Sequence, residues 1–282
     1  MKKTFDLKYS LLLLIGYILY LLLETPLNTI ISGFPLPLLY QGFISNLILL
    51  IPILSFVIFL LHKLNLKQSL KFRNIKIFLM PLAYLLFIIA MNFSAFESSV
   101  SFDFLIFIFG LCLVGFSEEF IFRGILFPKL SINIASIYSG AIVSSILFGV
   151  VHYINLINNP EFFNEITSQA ISAFCFGVLM CGIFYKTKNL YVPALIHTIF
   201  NLQNSIRSFN FIRNDEIPKS IEISFSHPSI QELLSQELMF NLFSLIAGLS
   251  IIYYQIKKEN GTPLLLATFS KLAEKSPFLP LQ

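Results

Sequence analysis

Apolar residues in this chain run on in stretches of roughly 20, long enough to cross a hydrocarbon layer as helices and too continuous to alternate as strands. Spans fit at about 9–23, 37–61, 76–96, 104–127, 132–153, 167–185, 189–206 and 238–256. In lipid every backbone polar group must be paired inside its own segment, which makes such runs helical. Charged residues are 12% of the 282, about half of what a soluble domain carries. The expectation is an all-α fold, a polytopic membrane bundle of about eight transmembrane helices.

Lys and Arg sort unevenly around these spans. Lys2, Lys3 and Lys8, the group from Lys63 to Lys76, Arg123 and Lys129, Lys186 and Lys188, and Lys257 to Lys275 fall on one side, 16 of 19 in all. Arg207, Arg213 and Lys219 occupy the other side, in a long loop at about 207–237 with several acids. The positive-inside rule then places both termini in the cytoplasm. Short loops and abundant Phe suit a bacterial cell membrane. The net charge of +4 is used up by these loops, so no nucleic-acid partner is expected; the bilayer itself is the first partner. Lys2, Lys3 and Lys8 before a Leu-rich run imitate a signal sequence, but Glu24-Thr25-Pro26 offers no small-residue cleavage site, and the run reads as an uncleaved first span. Cys112, Cys175 and Cys181 lie in apolar runs and read as small hydrophobes.

Three charges contradict the apolar pattern. Glu118, Glu119 and Arg123 stand inside the run from Phe104 to Phe127, and each ionised group at mid-bilayer costs about 2.5–3.5 kcal/mol on insertion scales. On an α-helix Glu119 and Arg123 are four residues apart and share a face, while Glu118 points about 100° away. Arg123 can therefore neutralise Glu119 and leave Glu118 for other work. His152 ends the fifth span with Phe148 one turn before it. His197 and Asn201 share a face of the seventh span. A carboxylate, two imidazoles and an amide on three helices supply a base, hydrogen-bond donors and potential metal ligands. Glu24, Glu97 and Asp103 stand at span ends and read as hydrated.

The order Glu118-Glu119-x-x-x-Arg123, Phe148-x-x-x-His152, His197-x-x-x-Asn201 on successive apolar helices resembles the CPBP family of intramembrane proteases. That family includes the type II CAAX prenyl endopeptidases and the bacterial Abi, or bacteriocin-immunity, proteins. The likeness covers about residues 100–205 and divides the chain into N-terminal helices (1–100), a catalytic core (101–206) and an outer loop, last helix and tail (207–282). It implies hydrolysis of a peptide bond in a membrane-associated peptide or protein. Glu118 would be the general base, His152 its assistant, His197 and Asn201 the oxyanion donors, and Glu119, Arg123 and Phe148 structural support. The cofactor is either none or one divalent metal such as zinc, held in that case by Glu118, His152 and His197. A transporter using these residues as a proton or substrate path and a non-catalytic immunity protein are the competing readings. One spacing is awkward: with these span edges His152 falls nearer the opposite membrane face than Glu118 and His197. For one site the fifth span must start after Ile132, which Pro128, Ser131 and Asn133 permit, or be tilted or broken.

Overall fold

The computed structural model describes residues 8–63, 78–79, 81–83, 85–86, 102–157, 159–213 and 230–259. Among these residues all regular structure is helical. The helices are α1 (Lys8–Ile31), α2 (Leu38–Lys63), α3 (Phe102–Glu119), α4 (Phe127–Asn133), α5 (Ile137–Val151), α6 (Phe163–Thr187), α7 (Tyr191–Arg213) and α8 (Ile230–Lys258). Among the described residues six helical stretches are long and apolar enough to cross a membrane: Leu12–Ile31, Leu38–His62, Phe102–Asn133, Ile137–Ile157, Pro160–Thr187 and Glu237–Lys258. Six of the expected eight runs meet that standard among the described residues. Most of the 76–96 run lies outside the described residues. The other run is α7, whose His, Asn, Gln and Arg residues dilute its apolar character.

The exterior fits lipid. Ile15, Leu19 and Leu23 on α1, Phe102, Leu105 and Phe109 on α3, and Met239, Phe243 and Ile246 on α8 are all exposed, more apolar surface than a soluble monomer tolerates. Inside, α8 packs along α6, α6 along α5, α7 along α3, and α3 along α2, which also carries α1. Without a hydrophobic drive between helices in lipid, close backbone approach has to supply the contact. The α6–α8 seam shows this: a Cβ on Gly182 would come 2.7 Å from the Gly248 carbonyl oxygen, and one on Gly248 would come 2.6 Å from that of Val178. Both obstacles are backbone and cannot rotate away. Gly248→Val should therefore lower the unfolding temperature in detergent, costing on the order of 1–3 kcal/mol; an unchanged transition would show that the seam is looser than drawn.

Several expectations shift. The fourth and fifth spans do not meet at 127–132; the fourth continues to Asn133, the chain turns through Ala135 at φ 56°, and α5 starts at Ile137 with Ser136 capping it (Ser139 N to Ser136 Oγ, 3.2 Å). The supposed loop at 207–237 is helical at both ends, through Arg213 and from Ile230. Residues 214–229 and the tail beyond 259 lie outside the described residues. Arg123 and Lys129 are both 1% exposed. They are interior groups, not loop charges, which removes two of the 16 cations from the orientation argument. Cys112, Cys175 and Cys181 are free thiols.

At the far end of α6, Lys188 adopts the left-handed conformation at φ 53°. Its Nζ lies 3.7 Å from Glu259 Oε1 and 3.7 Å from the Tyr185 ring centroid. Burial pushes the Lys188 ammonium down to about 8, with Glu259 opposing the shift. A lysine whose folded value lies below its unfolded one costs stability fully below pH 8, and the cost fades as pH rises toward about 10.4. Lys188→Asn, which tolerates this backbone conformation, should remove that component. The wild-type unfolding temperature then gains on the variant's between pH 7 and 10; parallel profiles would refute the shift.

Candidate active site in the membrane interior

The acidic pair ends α3, and the chain passes directly into a π-helical segment, Phe120–Leu126, before α4. Its cause can be read locally. Pro128 has no N–H to continue an α-helical ladder, and one residue earlier the Phe127 N–H bonds back five residues to the Phe122 carbonyl. That carbonyl also accepts from Ser144 Oγ at 3.2 Å. Wide turns of this kind within α-helices often mark functional sites. Every residue of the π segment is buried.

Arg123 Nη1 lies 3.0 Å from Glu119 Oε1, both side chains being essentially inaccessible. The expected pairing of these two is thus present. The guanidinium also sits 4.5 Å from the Phe148 ring centroid, a cation–π contact that is strongest when desolvated. Phe148 is 1% exposed and presents edges to both histidines, at 5.2 Å from the His152 ring and 5.8 Å from the His197 ring. Gly177 leaves room for the cation: a Cβ there would come 3.1 Å from Arg123 Nη2 and 2.9 Å from Ser145 Oγ.

Glu118 is 7% exposed and is not free of partners. Its Oε1 accepts a hydrogen bond from the Tyr17 hydroxyl, and its Oε2 lies 3.4 Å from His197 Nε2. His197 Nδ1 is 2.9 Å from Glu119 Oε1. A carboxylate only accepts, so Nδ1 carries the hydrogen of that bond. One imidazole therefore stands between the two adjacent acids, with Nε2 turned to Glu118. His152 Nδ1 lies 2.8 Å from the Phe148 carbonyl oxygen, which also only accepts. Nδ1 again donates, and in the neutral ring Nε2 is the basic nitrogen.

A cavity of about 240 Å³ opens beside Glu118, lined among others by Tyr17, Tyr20, Glu24, Glu118, His152 and Gln169. The awkward spacing of His152 resolves here: because α5 starts at Ile137, its C-terminal end brings His152 to the wall that Glu118 shares. His197 reaches the group from α7. Asn201 lies one turn farther along α7 and is half-buried.

The cavity also contains groups that sequence reasoning passed over. Glu24 is not at the end of its helix, because α1 continues past it to Ile31. Tyr17, Tyr20 and Glu24 stand at i, i+3 and i+7, one helical face, in an otherwise Leu-rich run. Asp103 likewise has a partner, accepting from the Tyr40 hydroxyl at 2.8 Å.

Among the described residues no three His, Cys, Asp or Glu side chains converge as ligands. Nδ1 of His152 and of His197 donates to an oxygen, which leaves Nε2 of each as the nitrogen a metal would take. Glu118, His152 and His197 would be the residues to hold such an ion, and as they stand they do not form a ligand set. A buried carboxylate that lines a cavity with a basic imidazole can take a proton from a water that enters it.

No curated protein and no solved structure gives a match to the chain. A family model described as Type II CAAX prenyl endopeptidase Rce1-like matches residues 99–203. That stretch holds Glu118, Glu119, Arg123, Phe148, His152, His197 and Asn201, and it is the part of this integral membrane protein that is similar to the Rce1-like family.

Proposed function

We propose that the protein is an intramembrane endopeptidase that hydrolyses a peptide bond in a membrane-associated peptide or protein, with Glu118 as general base. The observation that carries this reading is the shared cavity: Glu118 and His152 line one space of about 240 Å³, and His197 Nε2 stands 3.4 Å from the carboxylate. Water in that space gives a proton to Glu118 as its oxygen attacks the carbonyl carbon. His152, with Nε2 as its basic nitrogen, orients the water. The tetrahedral oxyanion accepts from the Asn201 amide and from His197, which offers an N–H at Nε2 when that nitrogen is protonated. The C–N bond then breaks, and the proton held by Glu118 passes to the departing amine.

Glu119 and Arg123 act at one remove, holding His197 by Nδ1 and balancing charge in the core. The Rce1-like match supports a CAAX-type prenylated substrate; pheromone and bacteriocin-type precursors share its chemistry as short membrane-bound peptides. The test is a comparison of membranes containing wild-type protein with membranes containing Glu118→Gln protein, mapping newly formed peptide ends by mass spectrometry. New ends confined to the wild type support the reading. Identical maps, with solute flux into liposomes, favour a transport path through the same residues.

A further inference from the structure

The family match begins at residue 99, yet Glu118 takes a hydrogen bond from a helix that precedes it by a hundred residues. We propose that Tyr17 of α1 is a positioning residue for the catalytic carboxylate, fixing which oxygen of Glu118 meets water. This rests on the general-base reading of Glu118.

The geometry holds one oxygen of the carboxylate and leaves the other open. Tyr17 is 2% exposed, and its hydroxyl donates to Glu118 Oε1. The other oxygen, Oε2, is the one 3.4 Å from His197 Nε2. A glutamate has three rotatable bonds, and an anchor on another helix removes part of that freedom. With Oε1 occupied by the phenol, the proton leaving water goes to Oε2.

The phenol is itself held. Its ring meets Phe122 edge-on at 6.0 Å and 88°, and Tyr20 at 5.5 Å on the same helix. Phenylalanine would fill that space equally well. A buried hydroxyl is costly unless it is bonded, so its presence in a Leu-rich span is explained by the bond it makes. Because Phe122 belongs to the π segment, α1 is registered against the same turn that carries Arg123. The catalytic unit therefore includes the first helix and is not complete within 99–203.

The test uses full-length protein in detergent and Tyr17→Phe, with a farnesylated, internally quenched Cys-aliphatic-aliphatic-X peptide as probe. The expected result is a fall in kcat of about 10- to 100-fold, KM within twofold of wild type, and an unfolding temperature little changed, because lost orientation acts on the reacting step. A kcat within twofold of wild type overturns the proposal. So does a KM rise that accounts for the whole loss.

A second readout needs no substrate. Dicyclohexylcarbodiimide modifies carboxyl groups in their protonated form, and a carboxylate that loses a donor is more readily protonated. Modification of Glu118 at pH 7, measured by mass spectrometry, should rise several-fold in Tyr17→Phe; unchanged modification overturns the proposal. If the wild type leaves the probe uncut while the labelling changes, the substrate reading fails and the anchor stands. Should Tyr17→Phe unfold, 3,5-difluorotyrosine at position 17 nearly keeps the shape and strengthens the donor, kinetics being measured at a pH low enough to keep the phenol protonated. A kcat change above twofold then supports the anchor, and none overturns it.

Discussion

Glu118→Gln should abolish turnover while the protein still inserts and folds. The amide keeps an acceptor for the Tyr17 hydroxyl and nearly the volume of the acid, so the packing around α3 is preserved. What it loses is the ability to take a proton. General-base catalysis by a positioned group contributes about 10²–10⁴-fold, and hydrolysis of an unactivated amide in a cavity without another carboxylate at this position should lie at the upper end. The expected measurement is a kcat lower by about 10³-fold or more, an unfolding temperature within a few degrees of wild type, and unaltered expression. Glu24 lines the same cavity, and residual turnover that also disappears in Glu24→Gln would identify it as the stand-in base.

The largest effect on stability should come from Arg123→Met. Glu119 is fully buried and its Oε1 lies 3.0 Å from the guanidinium, while Oε2 has no hydrogen-bond partner among the described residues. Removing the cation leaves a carboxylate without its counter-charge in the buried interior of the bundle. Breaking one side of a buried pair costs about 3–5 kcal/mol, whereas replacing both sides with apolar or neutral groups is often close to neutral. The single variant should therefore unfold at markedly lower denaturant or fail to accumulate, and Glu119→Gln/Arg123→Met should recover much of the loss. Gln at 119 still accepts from His197 Nδ1, so the double variant should also retain part of the activity. Equal instability of the single and double variants would show that Arg123 contributes through packing against Phe148 and the space at Gly177, and not through charge.

How much of this was legible in the sequence depends on the range of each interaction. The helical class follows from apolar run length alone. The Glu119–Arg123 pair follows from four-residue spacing, a local regularity that survives even the π segment between them. Of the residues in the three motifs, Glu118 stands beside His197 and lines a cavity with His152, and each of these is a polar group too costly to leave in lipid. The identity of Glu118's partners was not legible. Tyr17 is 101 residues away, and a tyrosine in an apolar helix is unremarkable until the helix opposite is known. The common face of Tyr17, Tyr20 and Glu24 was the available signal, and it was obscured by placing the span end at Leu23 instead of Ile31. The depth of His152 depended on where α5 begins, which a turn at Ala135 and a Ser136 cap decide. Lys129 shows the opposite failure: a cation beside Pro128 looks like a loop charge, but helix α4 carries it into the interior.

The central claim is that Glu118 delivers water directly to the scissile carbonyl, and a single turnover in ¹⁸O-water tests it. With enzyme in excess over a peptide substrate identified from the membrane comparison, the label should appear in the new C-terminal carboxylate of the product. The Glu118 side chain, recovered by proteolysis and mass spectrometry, should remain unlabelled. Label in Glu118 after that one turnover would mean that the carboxylate had attacked the substrate itself, and would contradict its role as a base.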